Sequence, residues 1–180
     1  VNGTIYTASA PPGSTPGDIA GRGALDARTA YNTLAALPGG IDLGSDQLGG
    51  RTLAPGIYRA AGGSYQITGS DLTLDAQGDA NAVWVFQMAS SLTVGGPGAA
   101  FPQSVILTNG AQAKNVFWQV GSAATINAGG GGIMVGTIIA EAGAAFSTAG
   151  NVTLTTLNGR ALGLNASVTV VNTLINIPAP

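Results

Sequence analysis

The chain contains no cysteine and no histidine among its 180 residues. That double absence excludes disulfides, thiol chemistry, the usual zinc ligand sets and the Ser-His-Asp and Cys-His nucleophile arrangements. It leaves the compartment open, because a long stack of strands needs no covalent staple. Charge is scarce as well: Asp, Glu, Lys and Arg make up 8% of the chain and the formal net charge is −2. The basic residues Arg22, Arg28, Arg51, Arg59, Lys114 and Arg160 are dispersed, so no stripe exists to follow a phosphate backbone and nucleic acid is not an expected partner. Apolar residues reach 45% but fall in short runs, none long enough to span a bilayer. No basic region followed by an apolar stretch opens the chain, and any signal peptide is expected to have been removed already.

What is present is glycine, 29 residues of it, interleaved with Val, Ile, Leu and aromatic clusters from Ile57 to Ile177. Disordered chains lack such clusters, so the glycines read as turns in one folded domain, 1–180. A first strand is expected at Thr4-Ile5-Tyr6-Thr7, followed by a Pro/Gly/Ser-rich loop over 10–17. Thr15 offers a cap for a helix opening at Pro16, with Asp18 near its N-terminus, although Gly21 and Gly23 weaken that turn. The convincing helical pattern covers 24–37, where Ala27, Ala30, Tyr31, Leu34 and Leu37 recur at helical spacing before Pro38-Gly39-Gly40. Beyond Gly49 the period becomes alternating, with strands expected at 57–58, 65–68, 72–74, 83–86, 91–94, 104–108, 115–120, 124–126, 133–140, 152–155 and 167–171.

So many short strands suggest a sandwich, a barrel or a solenoid. Hairpin folds advertise Asn-Gly or Asp-Gly turns between matched strands, and only Asn109-Gly110 and Asn158-Gly159 qualify. Small residues recur instead, as in Gly121-Ser122-Ala123-Ala124, Gly143-Ala144-Ala145 and Ala161-Leu162-Gly163-Leu164, as the corners of a narrow coiled stack require. A solenoid is favoured.

Carboxylate chemistry is the surviving catalytic option. Asp71, Asp75 and Asp79 lie close together, but aspartate at strand ends commonly bonds local backbone. Glu141, the sole glutamate, has no assigned second acid. The run from Asp75 to Asn81 carries oxygen ligands in near alternation, yet lacks the order and terminal glutamate of a calcium loop, so an Asx-stabilised turn is the better reading. Gly129 to Gly132 lack the Lys and following helix of a phosphate cradle. Trp84, Phe86, Phe117 and Trp118 could stack on sugars. They alternate faces within strongly apolar strands, however, which points to core on one side and cover by the helix on the other. No enzyme, cofactor or metal site is expected.

Three segments carry more information together than apart: Leu48-Gly49-Gly50-Arg51-Thr52-Leu53-Ala54-Pro55-Gly56-Ile57-Tyr58, Asn109-Gly110-Ala111-Gln112-Ala113-Lys114-Asn115-Val116-Phe117-Trp118-Gln119-Val120-Gly121, and Asn158-Gly159-Arg160-Ala161-Leu162. In this order, with Asp79 to Gln87 between the first two, they resemble the hallmark segments of the ice-binding family that carries the domain of unknown function 3494. The resemblance implies a mostly β fold, a right-handed and roughly triangular β-solenoid with one α-helix packed alongside. It also implies a secreted or cell-surface, non-catalytic domain whose partner is the surface of an ice crystal. Members of that family present a solenoid face of small residues and threonines, some with a Thr-Ala/Gly-X-Thr/Asn pattern, which Thr148-Ala149-Gly150-Asn151 fits. Thr148, Ala149 and Asn151 are therefore the candidate ice-binding residues. The family normally supplies further strands before the segment that begins at Val1, and regular threonine ladders are not evident.

The rival reading is a structural subunit of an extracellular filament or adhesin, with copies of itself or other cell-surface proteins as partners. Its support is an open solenoid edge and the tail 172–180. There Leu174, Ile175 and Ile177 alternate as in a strand that adds to a neighbour; the plain alternative is that the tail packs on its own solenoid.

Overall fold

The computed structural model describes residues 15–95 and 102–178. The expected strand at Thr4 to Thr7 and most of the loop after it lie outside the described residues. The helix expected over 24–37 is longer, and α1 spans Thr15–Ala36. Gly21 and Gly23 each disfavour helix by about 1 kcal/mol relative to alanine. Proline in the first turn and an acid near the positive helix end act the other way, and the helix forms through both glycines.

After α1 the chain coils. Its strands are β1 (Thr52–Leu53), β2 (Gly56–Arg59), β3 (Tyr65–Ile67), β4 (Leu72–Asp75), β5 (Trp84–Met88), β6 (Leu92–Val94), β7 (Val105–Thr108), β8 (Val116–Val120), β9 (Ala124–Ile126), β10 (Ile133–Ala140), β11 (Ala144–Phe146), β12 (Thr155–Gly163), β13 (Val168–Val170) and β14 (Thr173–Asn176). They stack as three sheets: β1-β4-β7, β2-β5-β8-β10-β12-β14 and β3-β6-β9-β11-β13. Every pairing is parallel. Each early coil contributes one strand to each sheet in turn, which makes the cross-section triangular. After β9 and β11 the chain crosses directly to the largest sheet, so the first side has no strand in the later coils. This is a β-solenoid, as the sequence led us to expect.

Alternation within the short strands sends one set of side chains into a single core. Trp84, Phe86 and Trp118 are fully buried there. Phe86 and Trp118 stack with centroids 4.1 Å apart. Both indole N–H groups are satisfied, Trp84 donating to Leu53 O at 3.2 Å and Trp118 to Val135 O at 2.9 Å. Phe117 points the other way, half-buried, toward α1. The sugar platform is thus replaced by core and helix cover.

One expected strand is displaced. Residues 152–154 are exposed and outside any strand, whereas β12 begins at Thr155 and runs straight through Asn158-Gly159, which sequence rules read as a turn. Gly159 sits opposite Gly136, where backbone meets backbone and no side chain fits.

The two ends of the stack differ. At one end residues 41–50 fold over the core, with bridges from Ile41 to Tyr58 and Gln47 to Gln66, and Leu48 is completely buried. At the other, Val170 and Ile175 follow inward columns that are buried one coil earlier, yet they are 49% and 42% exposed.

Where the first sheet stops, an amide takes over its role. Asn127 adopts φ 45° and is buried. Its Oδ1 accepts from the Gln103 N–H at 3.0 Å and its Nδ2 donates to Gln103 O at 2.9 Å, imitating a missing rung. Asn127→Ala should therefore cost about 2 kcal/mol, because two buried backbone groups lose their partner. Urea unfolding of the variant would check this; an unchanged midpoint would show that the corner satisfies itself by other means.

Candidate functional site

The sheet β3-β6-β9-β11-β13 presents its outer surface away from the helix. Its strands are three residues long, with apolar residues first and last and a single outward position between them. Pairing places those positions in one register: Gln66, Thr93, Thr125, Ala145 and Thr169. Successive outward side chains are consequently separated by the inter-strand spacing of about 4.8 Å.

Small residues flank that column on both sides. Before the strands stand Ser64, Ser91, Ala123, Gly143 and Ser167, tied by ladder bonds such as Leu92 N–H to Ala123 O and Ala124 N–H to Gly143 O. Ser64 and Ser91 also join through their hydroxyls at 3.1 Å. After the strands come Thr68, Gly95, Asn127 and Ser147, with the N–H groups of Gly95, Asn127 and Ser147 continuing the ladder. Gly95 is required here. Its φ is +90°, and a Cβ would lie 2.7 Å from Asn127 Oδ1. Asn127 and Ser147 are buried at this edge, and none of the outward residues is charged, so the surface offers hydroxyls, the Gln66 amide and methyls alone.

Thr148, Ala149 and Asn151, the residues singled out from sequence, lie in the turn directly after β11, on the rim of this face. Thr148 and Ala149 are exposed and Asn151 is half-buried. Their polar atoms are already engaged: Thr148 Oγ1 donates to Ala128 O at 2.7 Å. Asn151 Nδ2 reaches Ala128 O at 2.6 Å and lies 3.0 Å from Thr148 Oγ1. These bonds fix the turn and leave the threonine methyl and Ala149 facing solvent. Leu174 and Ile175 belong to β14, which makes its ladder bonds to β12 of its own chain, and Ile177 follows exposed beyond the strand.

The carboxylates do not converge. Asp75 Oδ1 accepts from the Gln77 N–H and from Asn109 Nδ2, contacts that hold this acid below its ordinary range. Asp79 Oδ1 accepts from the Asn81 N–H, the Asx turn expected there. Asp71 Oδ1 takes the Ser104 N–H. Glu141 pairs with Arg28. Among the described residues no three acids gather into a metal site. Gly130, Gly131 and Gly132 all have positive φ and form a tight corner against Pro102 and Thr153.

The outward column itself was missed in the sequence. Its trace is the triplet apolar-Thr-apolar at 92–94, 124–126 and 168–170, which recurs without a fixed period because the other two sides of the coil vary in length.

The model of the ice-binding-like family matches residues 1–176. The chain belongs to the ice-binding-like family. An ice-binding protein of Nostoc sp. (strain HG1) is 42% identical over 170 residues, covering 94% of this chain and 55% of that relative. An ice-binding protein of Flavobacterium frigoris (strain PS1) is 32% identical, covering 85% of this chain and 50% of its own length. Among solved structures, an ice-binding protein from the Antarctic ascomycete Antarctomyces psychrotrophicus superposes with TM-score 0.76 at 37% identity, over 90% of this chain and 73% of that one. The corresponding domain of an ice-binding protein of Shewanella frigidimarina gives 0.79 at 28% identity, over 97% and 69%. This member of the ice-binding-like family thus spans about half the length of those curated relatives.

Proposed function

We propose that this domain binds ice, without catalysis, through the outer face of β3-β6-β9-β11-β13, with Thr148, Ala149 and Asn151 extending the contact at its rim. The observation that carries the reading is the in-register, uncharged column Gln66, Thr93, Thr125, Ala145, Thr169. Charged groups bind their own hydration shells tightly and would resist replacement of that shell by a lattice. Hydroxyls and methyls on a stiff ladder hold water in a fixed arrangement at little entropic cost, and many weak contacts add up over an extended surface. An ice front growing between adsorbed molecules must curve, which lowers the local freezing point. The family's ice-binding relatives support this reading, and the partner is accordingly the ice surface. We place the domain outside the cell, where ice forms first.

Thr125 lies at the centre of the face and is exposed. Thr125→Tyr should abolish the faceting of ice crystals grown in dilute protein while changing stability by less than about 0.5 kcal/mol, as expected for a surface substitution. Thr148→Tyr and Asn151→Tyr should weaken faceting and leave some of it. Wild-type crystals that stay round would overturn ice binding. Full activity in Thr125→Tyr with loss in both rim variants would move the site to the turn after β11.

A further inference from the structure

The helix α1 lies across the largest sheet, but no described residue in it is buried. Beneath its middle runs an apolar groove of about 570 Å³, lined by Ala27, Ala30 and Leu34 on the helix and Phe117, Ile139 and Leu162 on the sheet. Among the described residues the polar attachments of α1 fall at two places, and Ile139 is the one lining residue of the groove that the helix leaves almost fully buried. At the C-terminal end, Gln87 Nε2 donates to the Leu34 and Leu37 carbonyls at 2.7 and 2.9 Å, and Arg59 Nε holds Gln87 Oε1 at 3.1 Å. Just past the middle of the helix, Arg28 Nη1 pairs with Glu141 just after β10, and Arg28 Nη2 contacts Asn165 Oδ1. Asn165 Nδ2 in turn donates to Glu141 Oε1 at 2.7 Å. This is the ion pair among the described residues, and it uses the only glutamate in the chain.

From this arrangement we infer that α1 is a detachable strap, released from the solenoid by opening of the Arg28–Glu141–Asn165 clasp while the coils stay folded. A region with few buried apolar contacts opens at lower free energy than the core it rests on. Once free, a helix of this length containing Gly21 and Gly23 is marginal in water, so release and unwinding coincide. Release bares Phe117, Ile139 and Leu162.

Acid works the clasp. The hydrogen bond from Arg28, aided by Asn165 and the Arg28 charge, holds the Glu141 carboxyl below its ordinary range, and Arg28 is the charged group it faces. Arg28 itself lies 5.7 Å from the Tyr31 ring centroid. Because the docked value is lowered, the clasp contributes fully above the ordinary carboxylate range. Its contribution disappears as pH falls through the docked value.

Hydrogen exchange on the full chain tests the idea. At neutral pH, Glu141→Gln and Arg28→Gln should each speed exchange in α1 about fivefold, the scale of a half-exposed ion pair, with β8 and β10 unchanged. Wild-type α1 should lose protection, after correction for intrinsic rates, as pH drops below the carboxylate range, and the Glu141→Gln variant should show no such step. Protection in α1 equal to that of β8 and indifferent to both substitutions would overturn the strap. So would simultaneous loss of protection in helix and strands, which would make the clasp part of the global fold.

Discussion

Trp118→Ala is expected to destabilise the domain by about 3–5 kcal/mol, the range for emptying a buried aromatic site. The indole is completely enclosed, stacks on Phe86 at 4.1 Å, and donates to Val135 O. Alanine removes the stacking partner and leaves that carbonyl without its indole donor, inside a core whose neighbours are held by ladders on every side. Relaxation into the cavity is therefore limited. Thermal and urea unfolding would measure the effect. A loss below about 1 kcal/mol would place the ring at the surface and reopen carbohydrate stacking as a role for Trp118.

An effect of similar size is expected from adding a single carbon at Gly159. A Cβ there would stand 1.8 Å from Gly136 O and 2.7 Å from Gly136 C, in backbone that cannot swing aside as a long side chain would. Gly136 has φ +94° and its own Cβ position meets Val116 O at 2.5 Å, so the strain passes along Val116, Gly136 and Gly159 in adjacent strands. Gly159→Ala should cost about 3 kcal/mol or more and reduce soluble yield. Gly150→Ala, where nothing lies within 4 Å but φ is +91°, is the control for backbone strain alone and should cost about 1–2 kcal/mol. Equal losses in the two variants would show that packing between β10 and β12 is not what requires glycine.

The strands most legible in the sequence were those whose alternation is visible locally, such as β3, β6 and β9, because inward and outward environments differ at every step. β12 was hidden by Asn158-Gly159: local rules favour a turn, and only the neighbouring coil reveals why glycine stands mid-strand. The first half of α1 was discounted for its glycines, a preference that the proline and the acid of its first turn offset. The candidate face left almost no local signal. A threonine between two apolar residues is ordinary in any strand, and the column emerges only once coils of unequal length are aligned. The Thr148 turn was legible through its resemblance to a family pattern, yet its inward hydrogen bonds were not.

The strict division of labour in β3, β6, β9, β11 and β13 has a consequence for how such a domain changes over generations. Tyr65, Ile67, Leu92, Val94, Ile126 and Phe146 bear the stability, and the residues between them point away from everything that holds the chain together. Drift at the outward positions is thus nearly free of folding cost. Substitutions along that column can accumulate one codon at a time, with every intermediate still a folded protein.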